Sequence, residues 1–205
     1  GFQPIIGANL KLGKLNIGAK YEFRAKIELE NESNNSANLG ALATQVPAVA
    51  VYADGNKVRS DIPALFTIGA QYEVTDNIRA MAGWNYYFDK DAKIESLMGG
   101  DNMKKLSRNT IEYLCGAEFK VTDKFLVSAG IQFSNFGIND NYTSDLGFTN
   151  DSFMTGIGGK YSLTEKVDIN FGYCYANYAP DNNVKTQTRY ERKTHNATVG
   201  VDFRF

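Results

Sequence analysis

Hydrophobic and polar residues alternate with a period of two along most of this chain. Over 166–178, Val167, Ile169, Phe171, Tyr173 and Tyr175 fall on one face, and Asp168, Asn170, Gly172, Cys174 and Ala176 on the other. The chain end repeats the pattern, with Ala197, Val199, Val201, Phe203 and Phe205 against Thr198, Gly200, Asp202 and Arg204. Such alternation is the signature of a strand with one apolar face. It predicts nine strands: 4–12, 15–30, 63–74, 77–89, 108–121, 124–134, 152–163, 166–178 and a last one ending at Phe205. The pattern allows a short helix only around Ile94 to Leu106, inside a loop.

The predicted connections fall into two alternating sets. Leu12-Gly13-Lys14-Leu15, Val74-Thr75-Asp76-Asn77, Val121-Thr122-Asp123-Lys124 and Leu163-Thr164-Glu165-Lys166 each place two residues between strands, as hairpin turns do. The others, 31–61, 90–107, 135–151 and 179–189, are long and polar. One end of the sheet therefore has short turns and the other long loops, the asymmetry of bacterial outer-membrane barrels.

Alternation alone does not say which face meets what. Three features turn the apolar face toward lipid. Aromatic residues concentrate near strand ends: Tyr72, Phe119, Phe125, Tyr161, Phe203 and Phe205 toward the short turns, and Trp84, Tyr86, Phe88, Phe133, Phe153 and Tyr175 toward the long loops. At a rise of about 3.3 Å per residue and a tilt near 40°, Phe125 to Phe133 spans roughly 20 Å, close to the apolar band of a barrel. Two aromatic girdles around an aliphatic belt mark a membrane interface. The polar face, meanwhile, is both charged and rich in mid-strand glycine, which suits a curved wall around a lumen. The terminal strand ends on an aromatic after alternating Val199, Val201 and Phe203, like the signal through which outer-membrane assembly machinery receives its substrates.

The whole chain of 205 residues is expected to form one all-β domain, an antiparallel transmembrane β-barrel. Intact bacterial single-chain barrels have even strand numbers, so nine strands predict a C-terminal part of a larger barrel. A tenth strand within 45–59 would upset the alternation of turn types. Composition adds exclusions. With 22 Lys and Arg against 23 Asp and Glu, no basic nucleic-acid footprint is present. No apolar run reaches the roughly 18 residues of a membrane helix.

The chain resembles the C-terminal portion of FadL-type outer-membrane transporters, which take up long-chain fatty acids and aromatic hydrocarbons. The likeness lies in the opening hairpin from Ile6-Gly7-Ala8-Asn9-Leu10 into Ala19-Lys20-Tyr21-Glu22-Phe23, in Ile62-Pro63-Ala64-Leu65-Phe66 after a long loop, and in Phe153-Met154-Thr155-Gly156-Ile157 with the hairpin that follows. It is diffuse, made of strand patterns over most of the chain. It implies a 14-stranded barrel whose N-terminal hatch and first strands have no counterpart in these residues.

Binding and passage are expected rather than reaction. No catalytic constellation, metal-ligand spacing or cofactor motif is visible. His195 reads as a rim residue at the start of the last strand, and Cys115 and Cys174 lie on opposite faces, three strands apart, as free thiols. An amphipathic ligand needs an apolar slot and, if it bears a carboxylate, a cation. The lumen-facing cations are Lys20, Arg24, Arg79, Lys160 and Arg204, with Glu22, Glu112, Glu118 and Asp202 available to pair with them. Met81, Leu114, Leu126 and Met154 interrupt the polar face as candidate slot residues, or as packing for the hatch. The expected partners are the lipid bilayer, a hydrophobic small molecule and the assembly machinery. The expected function is uptake of hydrophobic molecules, long-chain fatty acids in particular. The alternatives are a structural or adhesive barrel with a filled lumen and a general porin.

Overall fold

The computed structural model describes residues 1–32, 53–95, 101–143, 149–183 and 187–204. Nine strands form one antiparallel sheet: β1 (Ile5–Leu12), β2 (Leu15–Glu22), β5 (Leu65–Glu73), β6 (Ile78–Tyr87), β7 (Ile111–Lys120), β8 (Phe125–Asn135), β9 (Ser152–Ser162), β10 (Val167–Asn183) and β11 (Thr188–Phe203). Each pairs with its neighbour in chain order, so the sheet is a simple meander. β3 (Glu28–Glu30) and β4 (Lys57–Arg59) make a separate small ribbon at the long-loop end.

The register confirms the division into two faces. The row Gln71, Met81, Gly116, Gly130, Gly156, Cys174 and Asn196 runs straight across six strand pairs on the polar face. The odd-even complement places Ile68, Tyr113, Phe133, Ile157, Phe171, Val199 and Phe203 on the other face. All of these are exposed, Val199 to 80%. A single-layer sheet exposing so continuous an apolar surface is unsuited to water and suited to hydrocarbon.

The girdles are contact networks. On the long-loop side Tyr21, Phe88, Tyr86, Trp84 and Phe66 touch in sequence, ring centroids 4.8–5.9 Å apart. Phe133 and Phe153 meet at 4.8 Å. Nearer the short turns the Phe125 and Phe171 rings stack. The Phe171 ring packs against Gly159, where an added Cβ would fall 2.4 Å from it.

Side-chain hydroxyls build three of the short turns. Thr75, Thr122 and Thr164 accept backbone N–H bonds from two residues on, at 3.2 Å in each case, so Thr followed by an acid closes the hairpin without glycine. The first turn instead relies on Gly13, whose φ of 57° is left-handed.

Four sequence expectations need correction. The strand over 15–30 ends at Glu22. Its partner β5 begins only at Leu65, because Pro63 has no N–H for the ladder. Beyond the break, Ala25 bridges Ile62 and β3 pairs β4. The loop expected over 179–189 is largely strand, since β10 and β11 stay paired from Val167↔Phe203 to Asn183↔Thr188 across one register shift between Tyr178 and Asp181. Both faces are polar there, which hid the period. His195 consequently lies inside β11, on the lipid face, with Tyr173 Oη 2.7 Å from its Nδ1. The short helix near 94–106 is a one-turn 3-10 segment at Asn102–Lys105, with another at Asp89–Asp91. The suggested tenth strand and Phe205 lie outside the described residues, apart from 53–59, of which β4 joins no sheet but its own.

The packed core sits under the long loops. Ala92, Met103 and Leu106 are buried there, with Ile94, Ile138 and Tyr142 against them. Asp61 is buried beside this region. Its Oδ1 accepts from Ile27 N–H at 3.3 Å and from Arg59, and its Oδ2 accepts from Lys93 N–H at 3.1 Å. It thereby ties three loop segments together.

Candidate functional site

The polar face lines an open concavity of about 690 Å³. Met81, Leu114 and Met154 project into it from β6, β7 and β9. Leu114 is opposite Gln132, and Gln132 is opposite Met154, so these three form a row. Met81 lies one step nearer the short turns, in the glycine row of Gly116, Gly130 and Gly156. The glycines leave a bare backbone floor. At Gly116 this is obligatory, because a Cβ would lie 2.9 Å from Ala129 O.

Leu126 is not part of this group. It lies near the short turns, opposite Lys120 and Lys160, outside the concavity.

The candidate cations are all engaged. Lys20 pairs with Glu22 at 2.6 Å and Arg79 with Glu118 at 2.9 Å. Lys160 on β9 and Arg204 just past the end of β11 approach the same buried carboxylate, Asp168. Arg24 lies beyond the end of β2 and donates to the backbone oxygen of Asp91. Asp202, expected as a partner, instead accepts from Asn170 at 2.7 Å. These pairs brace the wall and leave the apolar concavity with little charge.

A second feature was missed by the sequence reading. Glu112 stands one register step toward the loops from Leu114. Asn85 and Tyr87 donate to its Oε2 at 2.9 and 3.2 Å, and Gln132 and Ser134 donate to its Oε1 at 3.0 and 2.9 Å. Four neutral donors thus satisfy one carboxylate. Above it lies a pocket of about 380 Å³ under the loops, walled by Ile94, Met103, Leu106, Ile138 and Tyr142 and bordered by Asp89 and Glu112. The donors come from the two strands flanking β7 and fall at one depth only in the correct register, so no local motif announced them.

A family model of the outer membrane protein beta-barrel domain matches residues 30–205. The chain belongs to this family. Its place is the outer membrane, with the apolar face against lipid. Among solved structures it is similar to a FadL homologue from Pseudomonas aeruginosa (18% identity over 96% of this chain and 50% of that one, TM-score 0.70). It is also similar to the toluene transporter TodX of Pseudomonas putida (17%, covering 99% and 60%, TM-score 0.51). A third is an anion-selective porin from Comamonas acidovorans (13%, covering 97% and 48%, TM-score 0.54). No curated protein matches the sequence. The chain spans about half the length of these structures, and at such identities the likeness is one of fold: this outer-membrane barrel shares its wall with proteins of differing solute preference.

Proposed function

We propose that this outer-membrane barrel domain is part of a channel for the uptake of hydrophobic molecules. The observation that carries the reading is the convergence of Met81, Leu114 and Met154 on one glycine-floored concavity of the lumen face. A water-filled pore gains nothing from inward methionine and leucine, whereas an apolar solute is desolvated by them. The shared fold with a toluene transporter and a FadL homologue agrees with this. Long-chain fatty acids, the finer expectation, fit the apolar slot; for their carboxylate to be held, a cation such as Arg79 would have to leave its present partner. We further propose that the terminal strand, with Val199, Val201 and Phe203 facing outward, is the element handed to the assembly machinery.

The test uses the full-length protein extracted in mild detergent. Mass spectrometry of released small molecules is expected to find apolar ligands at near-unit occupancy, and Met81→Glu is expected to lose them while the barrel still folds. A ligand-free closed barrel would instead favour a structural or adhesive role.

A further inference from the structure

The pocket under the loops and the lumen concavity meet at the row that holds Glu112. Tyr87 and Glu112 border the upper pocket, while Asn85, Leu114 and Gln132, all neighbours of Glu112, line the lower concavity. On the channel reading, a solute passing from the loops into the lumen passes this carboxylate.

The charge balance along that route is one-sided. Among the described residues, Asp89 and Glu112 are the charged groups bordering the upper pocket, and no cation borders it. Asp89 is held by a hydrogen bond from Thr110 N–H at 2.8 Å, and neither acid is in an ion pair with a described residue. Lower down, the charged lining group is Glu118, which Arg79 neutralises. The segments 33–52 and 96–100 contain no charged residue, 144–148 contains Asp145 and 184–186 contains Lys185.

We propose that Glu112, with Asp89, is a charge filter that makes the channel select hydrophobic molecules with uncharged or ammonium end groups and reject carboxylates. The proposal rests on the channel reading and narrows its substrate class. The physical cause is direct. Among the described residues Glu112 is held by neutral donors rather than by a counter-charge, so no described cation screens it from the route. An incoming carboxylate meets that field in apolar surroundings, where like charges several ångströms apart repel strongly. An alcohol carries no charge for that field to repel, and an ammonium is attracted by it.

The test measures binding of decan-1-ol, decylamine and decanoate to the full-length protein in nanodiscs at neutral pH by calorimetry. Decanoate is expected to bind at least roughly tenfold more weakly than the alcohol, and the amine at least as tightly as the alcohol. Glu112→Gln, which keeps an acceptor for Gln132 and Ser134, is expected to bring decanoate close to the alcohol. Decanoate binding as well as decan-1-ol in the unaltered protein would overturn the filter and leave the channel standing. A preference for the alcohol that Glu112→Gln leaves unchanged would overturn the role of Glu112. If none of the three binds, the channel reading fails and the filter with it. Heat-dependent gel mobility reports whether the variant folds. If it does not, the order of the three probes on the unaltered protein decides by itself.

Discussion

Asp61→Ala is expected to release the outer-side loops while the sheet stays intact. The carboxylate is fully buried at its side chain and holds Arg59, the N–H of Ile27 and the N–H of Lys93. Removing it strands a half-buried guanidinium and two backbone donors, at a cost of about 3 kcal/mol. Amide hydrogen exchange at Ile27 and Lys93 should accelerate roughly a hundredfold, while mid-strand amides near Gly116 and Gly130 stay protected, because the loops open as a local unit. Burial alone would raise the carboxyl's pKa, but the Arg59 guanidinium and the Ile27 and Lys93 amides more than offset it and hold it below the usual carboxylate value. A depressed value means the contribution is complete above about pH 4 and is lost only as pH falls through the lowered value. Protection at Ile27 should therefore be flat from neutrality to about pH 4 and decline below it. Asp61→Asn should abolish that acid step.

Filling the lumen floor should separate blockage from misfolding. Gly156 lies at the centre of the concavity, and a Cβ there would meet Cys174 Cβ and Tyr173 O at an ordinary 3.6 Å. Gly156→Trp is expected to fold normally and to reduce binding of an apolar ligand by at least about tenfold, since the indole occupies the space beside Met154. Gly116→Trp puts the same ring into the same concavity from a backbone that has no room, with Ala129 O 2.9 Å from the new Cβ. It should also destabilise the sheet by about 1–3 kcal/mol and lower the folded yield. Equal loss of fold in both variants, measured by gel mobility, would show that Gly156 is as tightly placed as Gly116.

The two tests probe regions of different legibility. The wall was readable from the chain alone: nine alternating runs and two classes of connection yield the meander, its two faces and its lipid side. Each run contains its own period, and a one-residue slip would turn an entire apolar face into the lumen, so local pattern suffices. The apolar residues of the concavity, Met81, Leu114 and Met154, were also visible as exceptions on the polar face. That Leu126 lies apart from them was not, because depth along a strand depends on its partner's register.

The loop side was the least legible. The extension of β10 and β11, the break after Glu22, the buried Asp61 and the core around Met103 and Leu106 all depend on contacts between segments distant in the chain. Sequence by itself determined which side chains face lipid and which face the lumen, because that is a property of strand periodicity. Only the tertiary structure decided that Lys20, Arg79, Lys160 and Arg204 pair with carboxylates while Glu112, among the described residues, is held by neutral donors, because pairing is set by register across strands and by the packing of loops above them.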